Sequence, residues 1–285
     1  MAHLALFATN FIYAANYSIA KLVMPHFIPP FGFIFLRVMA ACILFWLSAV
    51  WVRERVEKAD IPRLALCGLT GVAINQLLFF KGLNWTTPIH GSLIMLATPI
   101  LVVIISSILI KEKITWQRQI GIALGCLGAL LLILGGKNID LSSNGLLGDL
   151  FIFINATSYA IYFVLVRKML QKYHAVTVSA WMFSFGLLIV FPIGFSEAES
   201  INWQIFTPVA WWSLGFVLFF VTFIAYLCNA YAMRTLSPSV AGAYIYSQPV
   251  LATIIAISLG KDSLTIIKII AAILIFIGVA LVSKK

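Results

Sequence analysis

The residues of this chain best suited to bind a ligand are amides and phenols, with one methionine among them, and they lie inside long apolar segments. They recur at spacings of three, four and seven residues, so each set occupies one face of a helix. Polar side chains in lipid are costly unless they face protein or a cavity. The members are Asn10, Tyr13, Tyr17, Asn75, Gln76, Met95, Asn155, Tyr159, Tyr162, Tyr226, Asn229, Tyr244 and Gln248. We expect them to line a partly polar, aromatic-walled binding cavity. For any single member, a hydrogen bond to a neighbouring helix or a place at the headgroups is the alternative.

Two basic residues can add charge to such a cavity. Arg37 is the one arginine well inside an apolar segment, about 9 Å from its end at 1.5 Å per residue. It either binds a carboxylate, pairs with helix carbonyls or extends to the membrane surface. His90 lies in the first turn of another segment, where it is either a proton-sensitive gate or a polar interface residue.

The sequence lacks the patterns that catalysis and metal binding require. No Asp or Glu lies in the middle of an apolar segment, and there is no Ser/His/Asp set and no pair of carboxylates. The four cysteines all lie in apolar runs without ligand spacing. We therefore predict that the protein is not an enzyme and uses no metal or cofactor, and that proton coupling through an internal carboxylate is absent.

The elements that position these residues are membrane helices. The chain is 62% hydrophobic and only 10% charged, with a mean hydropathy of +1.06, whereas soluble domains average about 25% charged residues. Apolar runs near 20 residues indicate spanning helices, since barrel strands are shorter and alternate in polarity. The fold class is thus an all-α membrane protein with ten transmembrane helices. The predicted spans lie at roughly 3–23, 31–52, 64–83, 88–110, 116–135, 146–166, 176–195, 209–231, 238–259 and 264–282.

The basic residues are unevenly divided between the two sides of these spans. Thirteen Lys and Arg fall on one side and five on the other. Because cytoplasmic loops carry the excess of positive charge, both termini are predicted to be cytoplasmic. The net charge of +10 is then an orientation signal in the lipid bilayer, and no nucleic-acid partner is expected.

The chain contains an internal repeat. Residues 1–140 and 146–285 form two sets of five spans, whose second halves align without gaps at an offset of 150. An odd number of spans forces the two copies into inverted topology. Pro99 recurs as Pro249 near the middle of spans 4 and 9, and proline frees the carbonyl four residues back, here that of Met95 or Ile245. The matched breaks predict either a pair of hinges at the binding site or static kinks.

Small residues form a stripe on span 5. Gly121, Gly125 and Gly128 follow at spacings of four and three, and span 10 carries small residues at corresponding places. Such stripes allow close helix contact in lipid. We assign these two spans to packing or to a homodimer contact, and not to the cavity.

Several motifs together resemble the ten-span, EamA-type members of the drug/metabolite transporter superfamily. Ala14 to Lys21 is similar to the family's Trp-Gly-x-Asn-x-x-x-x-Lys pattern, with alanines in place of the Trp-Gly pair. The other matches are Arg37 within its span 2 motif, Pro99, Lys111 to Lys113 and Gly121 to Gly128, with Pro249 and Gly278 in the second copy and Asp262 in place of the usual Glu. Trp181 resembles the aromatic that often opens span 7 and joins the candidate site on that ground.

The resemblance implies an inner-membrane secondary transporter of small metabolites, often amino acids, that works by alternating access as an exporter or exchanger. The tyrosine-rich faces favour amphipathic or aromatic solutes. The alternatives are a flippase for lipids or lipid-linked groups and a non-transporting membrane scaffold. A flippase requires a lateral opening toward lipid, and a scaffold requires no solvent-connected cavity.

Overall fold

The computed structural model describes residues 1–85, 91, 94–134, 146–258 and 265–284 of the chain. Within these ranges the chain is helical, contains no β-strand and forms ten spans. Spans 2, 3, 6, 7, 8 and 10 are long and apolar enough to cross a membrane by length and composition. Spans 1 to 5 are 2–22, Pro30–Val52, 61–85, 94–109 and Trp116–Leu134, and spans 6 to 10 are Leu146–Lys172, Ala175–Glu199, Pro208–Met233, 238–258 and Ile266–Ser283. Short 3-10 turns cover Lys58–Asp60 and Trp203–Ile205.

Spans 8 and 9 begin with the same local signal, a hydroxyl residue followed by proline. The Thr207 hydroxyl accepts a hydrogen bond from the Ala210 amide at 3.2 Å, and the Ser237 hydroxyl accepts one from the Val240 amide at 3.4 Å. Both satisfy first-turn amides that have no partner within the helix. Some helices outrun the predicted apolar segments, and span 6 continues to Lys172 instead of ending near 166. Hydropathy detects only the lipid-embedded part of a helix, whereas backbone hydrogen bonding continues through polar residues.

The contacts between spans form a pattern that is unchanged when the two halves are exchanged. Span 2 packs against span 7 and span 5 against span 10, while span 1 packs against span 8 and span 3 against span 6. Replacing each span by its counterpart five places along the chain returns the same pairs. Since an odd number of crossings reverses the chain, the two halves are inverted relative to each other. The predicted architecture of two inverted five-helix repeats is confirmed, and residues 135–145 at its predicted joint lie outside the described part.

The glycine stripe of span 5 is occupied by span 10 of the same chain. A Cβ on Gly121 would lie 2.6 Å from the Gly278 carbonyl oxygen, and a Cβ on Gly128 would lie 2.7 Å from the Ala271 carbonyl oxygen. The two contacts are equivalent under the offset of 150. They run in opposite directions along the two helices, so spans 5 and 10 are antiparallel. Close packing within the chain is therefore the use that the structure shows for these glycines.

Spans 3 and 8 each contain a π-helical segment at equivalent positions. The segments are Leu69–Ile74 and Val217–Ile224, and the offset of 150 places 69–74 on 219–224. A π-helical turn carries one extra residue and rotates the side chains that follow it. In both spans the residues immediately after the segment include a polar side chain that faces the interior, Gln76 in span 3 and Tyr226 in span 8.

Candidate binding cavity

A cavity of about 190 Å³ lies between the two halves. Spans 1 to 4 and spans 6, 8 and 9 contribute to it. Its lining consists of Tyr13, Asn16, Arg37, Asn75, Gln76, Phe79, Phe80, Met95, Asn155, Tyr159, Tyr226, Ile245 and Gln248. The structure thus brings together eight of the amide, phenol and methionine residues that the sequence singled out, together with Arg37.

The lining repeats the symmetry of the fold. Gln76 and Tyr226 are equivalent under the offset of 150, as are Met95 and Ile245, and all four line the cavity. Each of the latter two lies four residues before a central proline. The cavity therefore lies on the pseudo-two-fold axis, where inverted-repeat carriers place their substrate sites.

Several polar atoms of the lining have unused hydrogen-bonding capacity. Among the described residues, the Oδ1 atoms of Asn16 and Asn155 are buried without a partner. The Asn155 amide nitrogen donates to the Asn75 backbone carbonyl. The Gln76 amide lies next to the Tyr226 hydroxyl. Its oxygen and nitrogen are nevertheless both buried without a hydrogen bond to any described residue. Since buried polar groups are nearly always hydrogen-bonded, these atoms are suited to contact water or a solute.

Arg37 is the charged member of the lining and is 8% exposed. Its Nε donates to the Thr222 hydroxyl at 3.2 Å, and its Cζ lies 5.8 Å from the centre of the Phe33 ring. The Thr222 hydroxyl in turn donates to the Val217 carbonyl at 2.8 Å, within the π-helical segment of span 8. Among the described residues that form the lining there is no Asp or Glu.

Asn10 lies one helical turn before Tyr13 and is not itself part of the lining. Its Oδ1 accepts a hydrogen bond from Gln248 Nε2 at 2.8 Å, and its amide nitrogen donates to the Leu6 carbonyl at 2.7 Å. These two bonds orient the Gln248 side chain, which does line the cavity. Asn10 is therefore placed to position a lining residue.

Spans 4 and 9 are irregular near Pro99 and Pro249, where the sequence predicts a break. In span 9 the helix Pro238–Ala243 passes through a 3-10 turn, Tyr244–Tyr246, before the helix Ser247–Ser258, which contains Pro249. In span 4 a turn at Leu96 precedes the helix Ala97–Leu109, which contains Pro99. The Tyr246 hydroxyl donates to the Leu96 carbonyl at 3.1 Å. The two breaks are thus joined to each other by a hydrogen bond.

Other residues of the predicted set lie away from the cavity. Tyr162 is fully buried and packs against Gly71 and the Tyr159 ring, with ring centres 5.7 Å apart. The Trp181 ring contacts Trp46 at 5.8 Å, the Tyr244 hydroxyl is 2.9 Å from His3 Nδ1, and Asn229 is buried on span 8. The Tyr17 side chain and His90 lie outside the described residues.

Four lining residues are absent from the predicted set: Asn16, Phe79, Phe80 and Ile245. Asn16 follows Tyr13 by three residues, so helical spacing was a sufficient signal for it. The symmetry relation to Met95 was a sufficient signal for Ile245. The two phenylalanines gave no such signal, because an apolar residue is equally common in a membrane helix whether it faces lipid or a cavity.

On the side of the 53–60 loop, the interior next to the cavity is filled by aromatic rings. The Phe45 ring lies 5.4 Å from Phe183 and 4.8 Å from Phe223, and Phe183 lies 4.9 Å from Tyr226. Further out, Lys172 Nζ lies 2.6 Å from carboxylate oxygens of both Glu57 and Asp60. Aromatic packing and contacts between the loops after spans 2 and 6 therefore occupy this end of the molecule.

These features define the class: a multi-pass membrane protein of two inverted repeats with a polar cavity between them. The chain belongs to the EamA-like transporter family, whose model matches residues 1–134 and 146–284. It is 24% identical over 93% of its length to the uncharacterized transporter YyaM of Bacillus subtilis, covering 88% of that protein. It is 24% identical over 99% of its length to an uncharacterized transporter of Archaeoglobus fulgidus, covering 97%.

Two further likenesses bear on function and fold. A probable terminal-alkyne amino-acid exporter of Streptantibioticus cattleyicolor is 24% identical over 71% of this chain and 66% of its own length. One crystal structure aligns with a TM-score of 0.82 over 99% of this chain and 96% of its own, at 18% identity. The second likeness shows that the fold is shared.

Proposed function

We propose that this chain is a secondary carrier that moves small polar or amphipathic metabolites by alternating access, as an exporter or exchanger. The observation that carries the proposal is one cavity lined by equivalent residues of two inverted halves. When one half rocks against the other, a site on their axis can be exposed to either side of the bilayer. The irregular backbone before Pro99 and Pro249 supplies the flexible points, since it adjoins lining residues in both halves.

The size and lining of the cavity favour metabolite-sized solutes. A volume of about 190 Å³ is below the roughly 300–1,000 Å³ typical of drug-sized ligand sites. Phenols and amides provide both stacking surface and hydrogen bonds. One relative is named a probable terminal-alkyne amino-acid exporter, and an amino acid is a solute of this size.

The charge distribution favours an orientation with both termini cytoplasmic, and the family resemblance favours the inner (plasma) membrane. In that orientation the aromatic cluster around Phe45 and the contacts of Lys172 lie on the cytoplasmic side. They act as the closed cytoplasmic gate of one state of the cycle. Opening that gate requires the loops after spans 2 and 6 to separate.

A flux assay in proteoliposomes tests the proposal. A metabolite panel is measured for counterflow with the purified chain, with and without a pH gradient. We expect saturable flux of at least one small solute. Absence of flux for every solute, together with movement of a labelled lipid between leaflets, would contradict the carrier and favour a flippase, and absence of both would favour a scaffold.

Two variants of span 6 connect the flux to the cavity. Tyr159→Ala removes a lining phenol and should lower flux at least about tenfold if the ring contacts solute, which corresponds to about 1.4 kcal/mol. Thr157→Val is the matched control, because the Thr157 hydroxyl bonds its own helix at the Phe153 carbonyl, 2.9 Å away, and Thr157 does not line the cavity. Equal flux in both variants would remove the cavity from the pathway.

A further inference from the structure

Arg37 holds a buried positive charge without an acidic partner in the described lining. A buried cation in a membrane protein is costly and is normally paired. Among the described residues, the one hydrogen bond that Arg37 donates runs from Nε to the Thr222 hydroxyl. A guanidinium has five N–H donors, so this bond employs one and leaves the terminal nitrogens for other partners.

The surroundings fix the direction of the guanidinium. The Thr222 hydroxyl is itself held by its bond to the Val217 carbonyl, and the Phe33 ring lies 5.8 Å from Cζ. These contacts hold the Nε side against span 8 and the ring, while Arg37 lines the cavity. The planar fork of terminal nitrogens fits a carboxylate in bidentate geometry.

The charge is confined to one half of the molecule. Span 7, the counterpart of span 2, has no Lys or Arg between Ala175 and Glu199, so the pseudo-symmetry of the lining is broken at Arg37. With one positive group in the described lining, the cavity balances one negative charge. The Oδ1 atoms of Asn16 and Asn155 supply unpartnered acceptors in the same cavity.

We infer that Arg37 is the anion anchor of the cavity and selects solutes with a single carboxylate and at least one N–H or O–H donor. The inference rests on the proposed carrier function and deepens it. The carboxylate accepts from the terminal nitrogens of Arg37, and the donor groups of the solute are met by the amide oxygens. Thr222 is a positioning residue that acts through the orientation of the guanidinium.

The test uses three probes with one side chain: phenylalanine, phenylalaninamide and phenethylamine. Their competition against the best solute of the flux panel is measured in proteoliposomes with the full chain. For the wild type we expect phenylalanine to compete at least tenfold better than either probe that lacks the carboxylate. Flux that is present while the three probes compete equally would overturn the anchor and leave the carrier function standing, whereas absence of all flux overturns the carrier function itself.

Variants then assign the preference to one side chain. Arg37→Met should reduce the ratio between phenylalanine and phenylalaninamide to near one, and Arg37→Lys should restore part of it. Lys284→Met is the control for charge, since Lys284 is exposed after span 10 and outside the cavity, and it should keep the wild-type ratio. An unchanged ratio in Arg37→Met would refute the assignment.

Thr222→Val provides an independent measurement that keeps the positive charge. It should raise the KM for the carboxylate solute several-fold while competition by phenylalaninamide stays within about twofold. Equal losses for both probes would indicate a structural role and refute the positioning. If Arg37→Met does not give a monodisperse protein, the wild-type probe ratio and the Thr222→Val split decide the matter.

Discussion

Gly278→Ala tests the packing that joins the two repeats through spans 5 and 10. A Cβ at this position would lie 2.5 Å from the Gly121 carbonyl oxygen, 2.7 Å from the Gly125 nitrogen and 3.1 Å from the Gly125 Cα. All three are backbone atoms of span 5 and cannot rotate away. Since ordinary contact begins at 3.4 Å, the helices must separate locally by up to about 0.9 Å.

The expected loss follows from this overlap. Overpacking of a well-packed contact costs about 1–3 kcal/mol, while alanine gains up to about 1 kcal/mol over glycine in helix propensity. Gly215→Ala is the matched control, because Gly215 lies in span 8 with nothing within 4 Å of a built Cβ. That variant experiences only the propensity gain. We expect Gly278→Ala to be less stable than Gly215→Ala by about 1–3 kcal/mol.

Thermal unfolding of the purified protein in detergent measures the difference. At about 2–4 °C per kcal/mol for chains of roughly this size, the Tm of Gly278→Ala should fall below that of Gly215→Ala by about 2–12 °C. Gly121→Ala, which meets the Gly278 carbonyl oxygen at 2.6 Å, should behave in the same way. Indistinguishable melting of Gly278→Ala and Gly215→Ala would show that spans 5 and 10 are not in the close contact described.

Two further predictions concern the broken spans. Tyr246→Phe removes the hydroxyl that donates to the Leu96 carbonyl at 3.1 Å. It should lower stability by about 0.6 kcal/mol, the average for bonds between membrane helices, and by no more than about 1.7 kcal/mol; an unchanged Tm would show that the bond contributes nothing. Pro99→Ala combined with Pro249→Ala should regularise both spans and lower turnover with little change in solute binding, as measured by flux and by competition. Wild-type turnover in that double variant would reject the hinge.

The cavity shows how far helical spacing reaches. Tyr13 and Asn75 were predicted to face the interior from their spacing, and the structure places both in the lining. Tyr244 satisfied the same criteria and Trp181 was added by the family resemblance, yet they contact His3 and Trp46 outside the lining. Spacing determines which side chains share a face of a helix, but not toward which neighbour that face is turned.

The rotation of each helix is decided by contacts between spans. The π-helical segments of spans 3 and 8 rotate the residues after them, which include Gln76 and Tyr226. Glycines such as Gly71, where a Cβ would lie 2.4 Å from the Tyr162 ring, restrict which neighbouring helix can pack there and at what angle. Such events depend on pairs of residues far apart in the chain and leave no periodic signal in either segment.

The amino-acid sequence by itself determined the ten apolar spans, the repeat at an offset of 150 and the paired prolines, because hydropathy and repetition are properties of the linear chain. Only the tertiary structure decided which polar residues meet. It brings Arg37 into contact with Thr222, 185 positions later in the chain. It also places Asn10 outside the lining, where it orients Gln248. The physical reason is that the role of a buried charge depends on the groups that surround it, and those groups come from other helices.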